Sequence, residues 1–118
     1  MNYDKLCQNC LDLDPAIRYS GVVNNKGEVV SGGNRPDVES LLSPKEVQMS
    51  IHYTMQNWEK TQNLAYKIGE EKAAIVEYEK VILISFPVGR DLLLISTPPN
   101  ANYAKIVSDV KELISAAE

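Results

Sequence analysis

The sequence predicts an α+β protein, a three-layer α/β/α sandwich built on a five-stranded antiparallel sheet. Hydrophobic periodicity gives eight elements in the order α-β-β-α-β-β-β-α. The last three strands are joined by connections too short for a crossover, so they must run antiparallel. Two of them, VILISF and DLLLIST, are almost entirely apolar, and such strands need cover on both faces. We therefore expect the first and last helices on one face and the long middle helix on the other.

Spacing and helix breakers define the first helix and the hairpin after it. Apolar residues recur at helical intervals near the N-terminus, namely Tyr3, Leu6, Cys7, Cys10 and Leu11. Asp14-Pro15 ends this helix because proline cannot continue the hydrogen-bond ladder. Residues 17–23 and 28–31 are then predicted as two strands. The loop between them, NNKG, supplies residues that tolerate a positive φ, as a hairpin requires.

The middle helix has a strong start signal and an unusual length. Ser43 is a good N-cap, Pro44 fits the first turn, and Glu46 completes a capping box. The helical pattern continues to about residue 68, before Gly69. Its core stripe consists of Val47, Ile51, Thr54, Met55, Trp58 and Ala65. Such a helix would measure about 37 Å at 1.5 Å per residue, so we expect a break near residues 62–64.

Three strands and a last helix complete the chain. The strands are predicted at residues 73–78, 81–86 and 92–97, and residues 73–80 carry the charge that edge strands use. A break follows at Pro98-Pro99. Apolar residues at helical spacing then predict an amphipathic helix, namely Tyr103, Ile106, Val107, Val110, Leu113 and Ile114.

Length and charge limit the classes of function. A chain of 118 residues with 44% hydrophobic and 24% charged residues can form one domain with its own core. The net charge is −4 and the basic residues are scattered, which disfavours nucleic acid and anionic membranes as partners. The apolar runs are too short to span a bilayer, and the N-terminus lacks a signal-peptide pattern. We expect a cytoplasmic protein with reduced cysteines.

The glycines Gly27, Gly32 and Gly33 raise the question of a phosphate-binding loop. Such a loop places glycines between a strand and the N-terminus of a helix. Here the next helix cap comes ten residues after Gly33, and neither G-x-G-x-x-G nor Gly-Lys-Ser/Thr is present. We interpret Gly27 as the residue that closes the hairpin turn, and Gly32-Gly33 as the point where the chain leaves the second strand.

No catalytic motif is evident elsewhere. His52 is the only histidine, and no nucleophile is paired with it in the sequence. Glu77, Glu79 and Asp91 lie near strand ends, where edge charge explains them better than acid–base chemistry. We therefore predict no catalytic residue, no cofactor and a protein that is not an enzyme.

The pair Cys7 and Cys10 forms a C-x-x-C. Two cysteines do not complete a four-ligand zinc site, although a dimer could pool four thiolates or the pair could cycle as a dithiol. Both lie on the apolar stripe of the first helix, where cysteine packs as a small hydrophobic residue. Core packing is the favoured interpretation, with no metal bound.

The hairpin "GVVNNKGEVVSGG" and the segment "FPVGRDLLLISTPPNANYAKIVSDVKELI" resemble the roadblock/dynein light-chain family of the profilin-like group. The chain also resembles small archaeal proteins of unknown function through "LDLDPAIRYSGVVNNKGEVVSGG", "LLSPKE" and "EYEKV". The resemblance implies one roadblock-like domain over residues 1–118 with strand order 2-1-5-4-3. It also implies a homodimer in which the central helices lie side by side and the third strands extend the sheet. Family members serve as scaffolds or regulators of small GTPases and motor complexes.

The outer side of the middle helix agrees with such a dimer. Met49 and Tyr53 lie opposite the core stripe, and apolar residues there favour a second partner. We expect the interface to include Met49, Tyr53 and Gln56 on the helix, and Ile75 and Glu77 on the third strand. The function predicted is a non-enzymatic homodimeric interaction or regulatory module, with a small GTPase as a candidate partner.

Two other functions stay open at this point. One is a PAS- or GAF-like sensor that holds a small molecule between the sheet and the middle helix, which would require a cavity there. The other is a redox or zinc-binding role for Cys7 and Cys10.

Overall fold

The computed structural model describes residues 1–118, and its elements follow the predicted order. In chain order they are α1 (Tyr3–Leu13), β1 (Tyr19–Val23), β2 (Val29–Asn34), α2 (Pro44–Thr61), a 3₁₀ turn (Gln62–Leu64), α3 (Ala65–Ile68), β3 (Ala74–Glu77), β4 (Ile82–Val88), β5 (Asp91–Thr97) and α4 (Tyr103–Ala117). The five strands form one sheet in the order β2-β1-β5-β4-β3. Every neighbouring pair is antiparallel. The predicted α+β class and strand order are confirmed.

Helices cover both faces of the sheet, but they bury unequal cores. Between the sheet and the pair α1 and α4 lies a cluster of fourteen buried residues, which includes Phe86 from β4 and Cys10 from α1. Between the sheet and α2 the buried cluster has four members, Val23, Ile51, Met55 and Leu92. The three predicted layers are confirmed. The α2 layer is the thin one, so this helix keeps more of its own surface exposed.

The middle helix begins and breaks as predicted. Ser43 Oγ accepts a hydrogen bond from the Glu46 N–H at 3.2 Å, and Glu46 Oε1 accepts one from the Ser43 N–H at 3.0 Å. This reciprocal capping box fixes the start of α2. The α-helix ends at Thr61 and tightens into the 3₁₀ turn before the single turn of α3.

The second strand differs from the prediction, because it runs to Asn34 and contains both glycines of the Gly32-Gly33 pair. Gly32 adopts φ 80°. A Cβ there would overlap the Ser20 carbonyl oxygen and lie 2.9 Å from Cys7 Sγ. The glycine therefore allows β2 to continue close to β1 and α1, and the expectation that it releases the chain is wrong.

Other strand bounds move by one or two residues. The first strand begins at Tyr19 and not at residue 17, because the Ile17 N–H closes a turn on the Asp14 carbonyl at 3.0 Å. The strand β4 continues beyond its predicted end at residue 86 and includes Pro87 and Val88, because these two residues pair with Leu92 and Asp91 of β5.

Two polar contacts fix α1 on the sheet. Tyr3 donates a hydrogen bond to an Asp91 carboxylate oxygen at 2.6 Å. The Arg35 guanidinium donates to three backbone carbonyls at and beyond the end of α1, at 2.6 Å to Leu11, 3.2 Å to Asp14 and 2.9 Å to Ile17. Arg35 thus serves as a C-terminal cap supplied by a distant loop.

Candidate interaction surface

The outer side of α2 presents side chains that the domain itself does not cover. Inward positions Ile51 and Met55 are buried, while Met49, Tyr53 and Gln56 are exposed, Tyr53 to 59%. A hollow of about 330 Å³ opens on this side of the helix. Its lining consists of Lys45, Gln48, Met49, His52 and Tyr53. The helix therefore packs one apolar side on the sheet and keeps two large apolar side chains, Met49 and Tyr53, on its outer side.

The strand β3 is a bare edge of the sheet. Ile75 is 42% exposed and Val76 is 49% exposed, and Glu77 and Tyr78 are also exposed. Ile75 lies opposite Ile84 of β4, whose side chain belongs to the α1 and α4 core. Because side chains alternate along a strand, Ile75 and Glu77 point to the α1 and α4 face, whereas Val76 and Tyr78 point to the α2 face.

We call these residues together the α2–β3 surface, which comprises Met49, Tyr53, Gln56, Ile75, Val76, Glu77 and Tyr78. All five residues expected at an interface are exposed and belong to it. The structure does not gather them on one face, because Ile75 and Glu77 point away from α2. Val76 and Tyr78 were missed, although strand alternation places them on the α2 face.

At and beyond the helix break, three further apolar side chains are exposed. Tyr66 on α3 is 82% exposed, and Leu64 and Ile68 are exposed as well. The core stripe of α2 does not continue through these positions, because the 3₁₀ turn rotates the chain at Gln62–Leu64. The predicted break was the signal from which this exposure could have been inferred.

The two edges of the sheet differ in regularity. The β2 edge carries a register shift where Val23 pairs with Val29, and Gly32 adopts a positive φ within the strand. Such irregularities protect an edge against pairing with another strand. In β3 the pairing with β4 is continuous from Ala74 to Glu77. Only β3 offers a regular row of free backbone groups.

Both cysteines lie in the core. Cys7 is 2% exposed and Cys10 is fully buried. Burial raises the pKa of the Cys7 thiol and raises the pKa of Cys10 to about 12. The nearby hydroxyl of Ser20 offsets part of this increase, although it reaches no partner at full hydrogen-bond geometry. No three side chains of His, Cys, Asp or Glu come together as a metal site would require.

The thiols should accordingly be unreactive in the folded protein. At about pH 8 we expect Ellman's reagent to modify neither cysteine over the first hour, because both are shielded and protonated. In guanidinium chloride both should react within minutes. Rapid reaction of one or both thiols in the native protein would contradict the core assignment and return the redox hypothesis to consideration.

The remaining polar candidates are also separate from one another. His52 is exposed on α2 beside Tyr53, and Asp91 is engaged by the Tyr3 hydroxyl at the start of β5. Glu77 and Glu79 are exposed at the β3 edge and its turn. The Gly27 N–H closes the hairpin turn on the Asn24 carbonyl at 2.9 Å, as expected of a turn glycine with φ 78°.

Apolar side chains from α2 and from the sheet pack together in the space between them. Ile51 and Met55 from α2 pack there on Val23 and Leu92. A second hollow, of about 250 Å³, lies elsewhere, between α1 and β2, and is lined by Asp4, Cys7, Gln8, Leu11, Gly32, Gly33, Asn34 and Pro36. Neither hollow lies in the position at which a sensor domain would hold its ligand.

The same architecture recurs in solved structures of other proteins. The Roadblock/LC7 domain from Streptomyces avermitilis has a TM-score of 0.73 at 14% identity, over 99% of this chain and 95% of that one. The gliding protein MglB from Thermus thermophilus has a TM-score of 0.72 at 19% identity, over 95% of this chain and 84% of that one. A profilin from Schizosaccharomyces pombe has a TM-score of 0.63 at 14% identity, over 98% of each chain. At such identities the likeness concerns the fold.

Element order, strand order and these neighbours define a protein with the roadblock and profilin-like fold, as the sequence resemblance suggested. By sequence, the chain belongs to DUF6659, a family of unknown function, whose model matches residues 1–116. No curated protein matches the sequence. The helices of this protein all lack the combination of length and hydrophobicity that a membrane span requires.

Proposed function

We propose that residues 1–118 form one roadblock-like domain that acts as a non-enzymatic homodimer, an interaction or regulatory module. The observation that supports this most is the two-sided α2, which contributes to a four-residue core inwards and leaves Met49 and Tyr53 exposed outwards. A second copy of the same helix would cover those side chains.

A second copy is the partner that we propose, for a geometric reason. Twofold symmetry joins identical patches, so the surface must complement itself. A regular antiparallel edge such as β3 can pair with its own copy and extend the sheet. The central helices of the two copies would then pack side by side, as the roadblock resemblance implies.

We expect multi-angle light scattering at tens of micromolar to give about twice the chain mass of 13.1 kDa. Tyr53→Glu should shift the protein towards the monomer and weaken association by at least about tenfold, because a carboxylate would have to be desolvated in the interface. Tyr53 is exposed, so the far-UV circular dichroism of the monomer should be unchanged.

A matched control tests whether position on the molecule matters. Tyr103, at the start of α4 on the other face of the sheet, is also partly exposed at 37%. Tyr103→Glu should leave the dimer intact. A monomeric wild-type protein at these concentrations, or equal effects of the two substitutions, would refute the proposed dimer.

We further propose a small GTPase as the first partner class to examine, which rests on the roadblock resemblance. The dimer, immobilised and exposed to extract of its native cell, should retain a GTPase in one nucleotide state and release it in the other. Equal retention with GDP and with a non-hydrolysable GTP analogue would argue against a regulatory role of this kind.

A further inference from the structure

We propose that two β3 strands pair antiparallel about a twofold axis through Val76, so that Ile75 lies opposite Glu77 of the partner subunit. This inference rests on the proposed homodimer and specifies how its sheets join. It follows from the hydrogen bonds that β3 already makes with β4 and from the charges along the edge.

The pairing with β4 determines which backbone groups are free. The Tyr78 N–H donates to the Val81 carbonyl at 2.8 Å, next to the pair Glu77 and Ile82. Hydrogen-bonded and non-hydrogen-bonded pairs alternate along an antiparallel ladder. Ala74, Val76 and Tyr78 therefore direct their N–H and C=O groups to β4. Ile75 and Glu77 direct theirs outwards, at the free edge.

When a second β3 pairs with this edge, the hydrogen-bonded pairs can form only between outward residues of the two strands. Within the strand Ala74–Glu77, this leaves four symmetric arrangements, with the twofold axis at Ala74, at Ile75, at Val76 or at Glu77. The arrangement with the axis at Val76 pairs Ile75 with the partner's Glu77 on both sides of the axis. It satisfies all the outward N–H and C=O groups of both strands within the strands themselves.

The other three arrangements are less favourable. With the axis at Glu77, two carboxylates lie directly opposite each other, which destabilises a strand pair. With the axis at Ile75, the outward groups of Glu77 meet Ala73 of the partner subunit, outside the strand, and with the axis at Ala74 those of Ile75 do so. Centring on Val76 also places two β-branched side chains in the closely spaced non-hydrogen-bonded position, a stabilising cross-strand pair.

Cysteine cross-linking distinguishes the four axes. A residue on the axis at a non-hydrogen-bonded position has its Cα about 4.5 Å from its copy, within disulfide range. A residue one position away has its copy about 8 Å distant, which is too far. We expect Val76→Cys, treated with oxidised glutathione, to form a covalent dimer at least about ten times faster than Ala74→Cys, Ile75→Cys or Glu77→Cys. In this reaction two protein thiols become one disulfide, and oxidised glutathione is reduced to two glutathione thiols.

Two controls set the background. Wild-type protein should not cross-link because Cys7 and Cys10 are buried, and Glu112→Cys, exposed on α4, gives the collisional rate. Faster cross-linking of Ala74→Cys, Ile75→Cys or Glu77→Cys would overturn the Val76 axis. If all four match the Glu112→Cys rate while light scattering still gives a dimer, β3 pairing is wrong and the proposed dimer stands. If light scattering gives monomers, the proposed function itself has failed.

Discussion

Replacing Gly32 with alanine is expected to lower the free energy of unfolding by about 3 kcal/mol or more. Two costs combine at this position. Gly32 has φ 80°, which is unfavourable for a residue with a Cβ. The added methyl group would also overlap the backbone of Ser20 and Gly21 and press on Cys7 Sγ. Backbone atoms of a paired strand cannot move aside cheaply, so β2 would have to separate from β1.

Guanidinium denaturation followed by far-UV circular dichroism and by the fluorescence of Trp58 would measure this loss. Gly89→Ala is the matched control, because Gly89 also has a positive φ of 64° but a Cβ there meets no atom within 4 Å. It should cost about 1 kcal/mol, the conformational term alone. Equal losses in the free energy of unfolding for the two variants would mean that the close approach at Gly32 does not contribute to stability.

The contrast between these two glycines explains which parts of the fold could be predicted. Element order follows from local signals, namely the capping box at Ser43, the break at Pro15 and the short connections between strands. The extent of β2 does not, because Gly32 lies in the strand for a tertiary reason, the proximity of Ser20 and Cys7. Locally, a glycine pair after an apolar run looks the same whether it ends a strand or continues one.

The candidate surface was predictable to the extent that periodicity decides exposure. Helical spacing places Met49 and Tyr53 opposite Ile51 and Met55, and the structure has this arrangement. Spacing does not reveal how much of the sheet α2 covers. The exposure of Val76, like the direction in which Ile75 points, depends on the place of β3 at the sheet edge and its register with β4.

Arg35 is a residue whose role the sequence does not signal. It lies in a polar stretch before a proline, 21 residues after the Asp14 whose carbonyl it binds. Helix C-termini leave carbonyl groups without partners, and proline at position 15 prevents the chain from satisfying them by continuing the helix. The partner is therefore supplied from outside the helix, and only the folded hairpin brings Arg35 to that position.

Arg35→Ala is accordingly expected to reduce the free energy of unfolding by about 3 kcal/mol, since bonds from a charged donor contribute about 1.5–3 kcal/mol each and are not additive. Arg35→Lys should recover less than half of this loss, because an ammonium group lacks the planar fork that reaches Leu11 and Ile17 together. Arg18 is the matched control, as its guanidinium makes one exposed bond, to the Glu39 carbonyl at 3.2 Å. Arg18→Ala should cost less than about 1 kcal/mol. If denaturation gave the same loss in the free energy of unfolding for Arg18→Ala and Arg35→Ala, the cap on α1 would stabilise the fold no more than an exposed hydrogen bond does. The attachment of this helix would then depend on its apolar side chains alone.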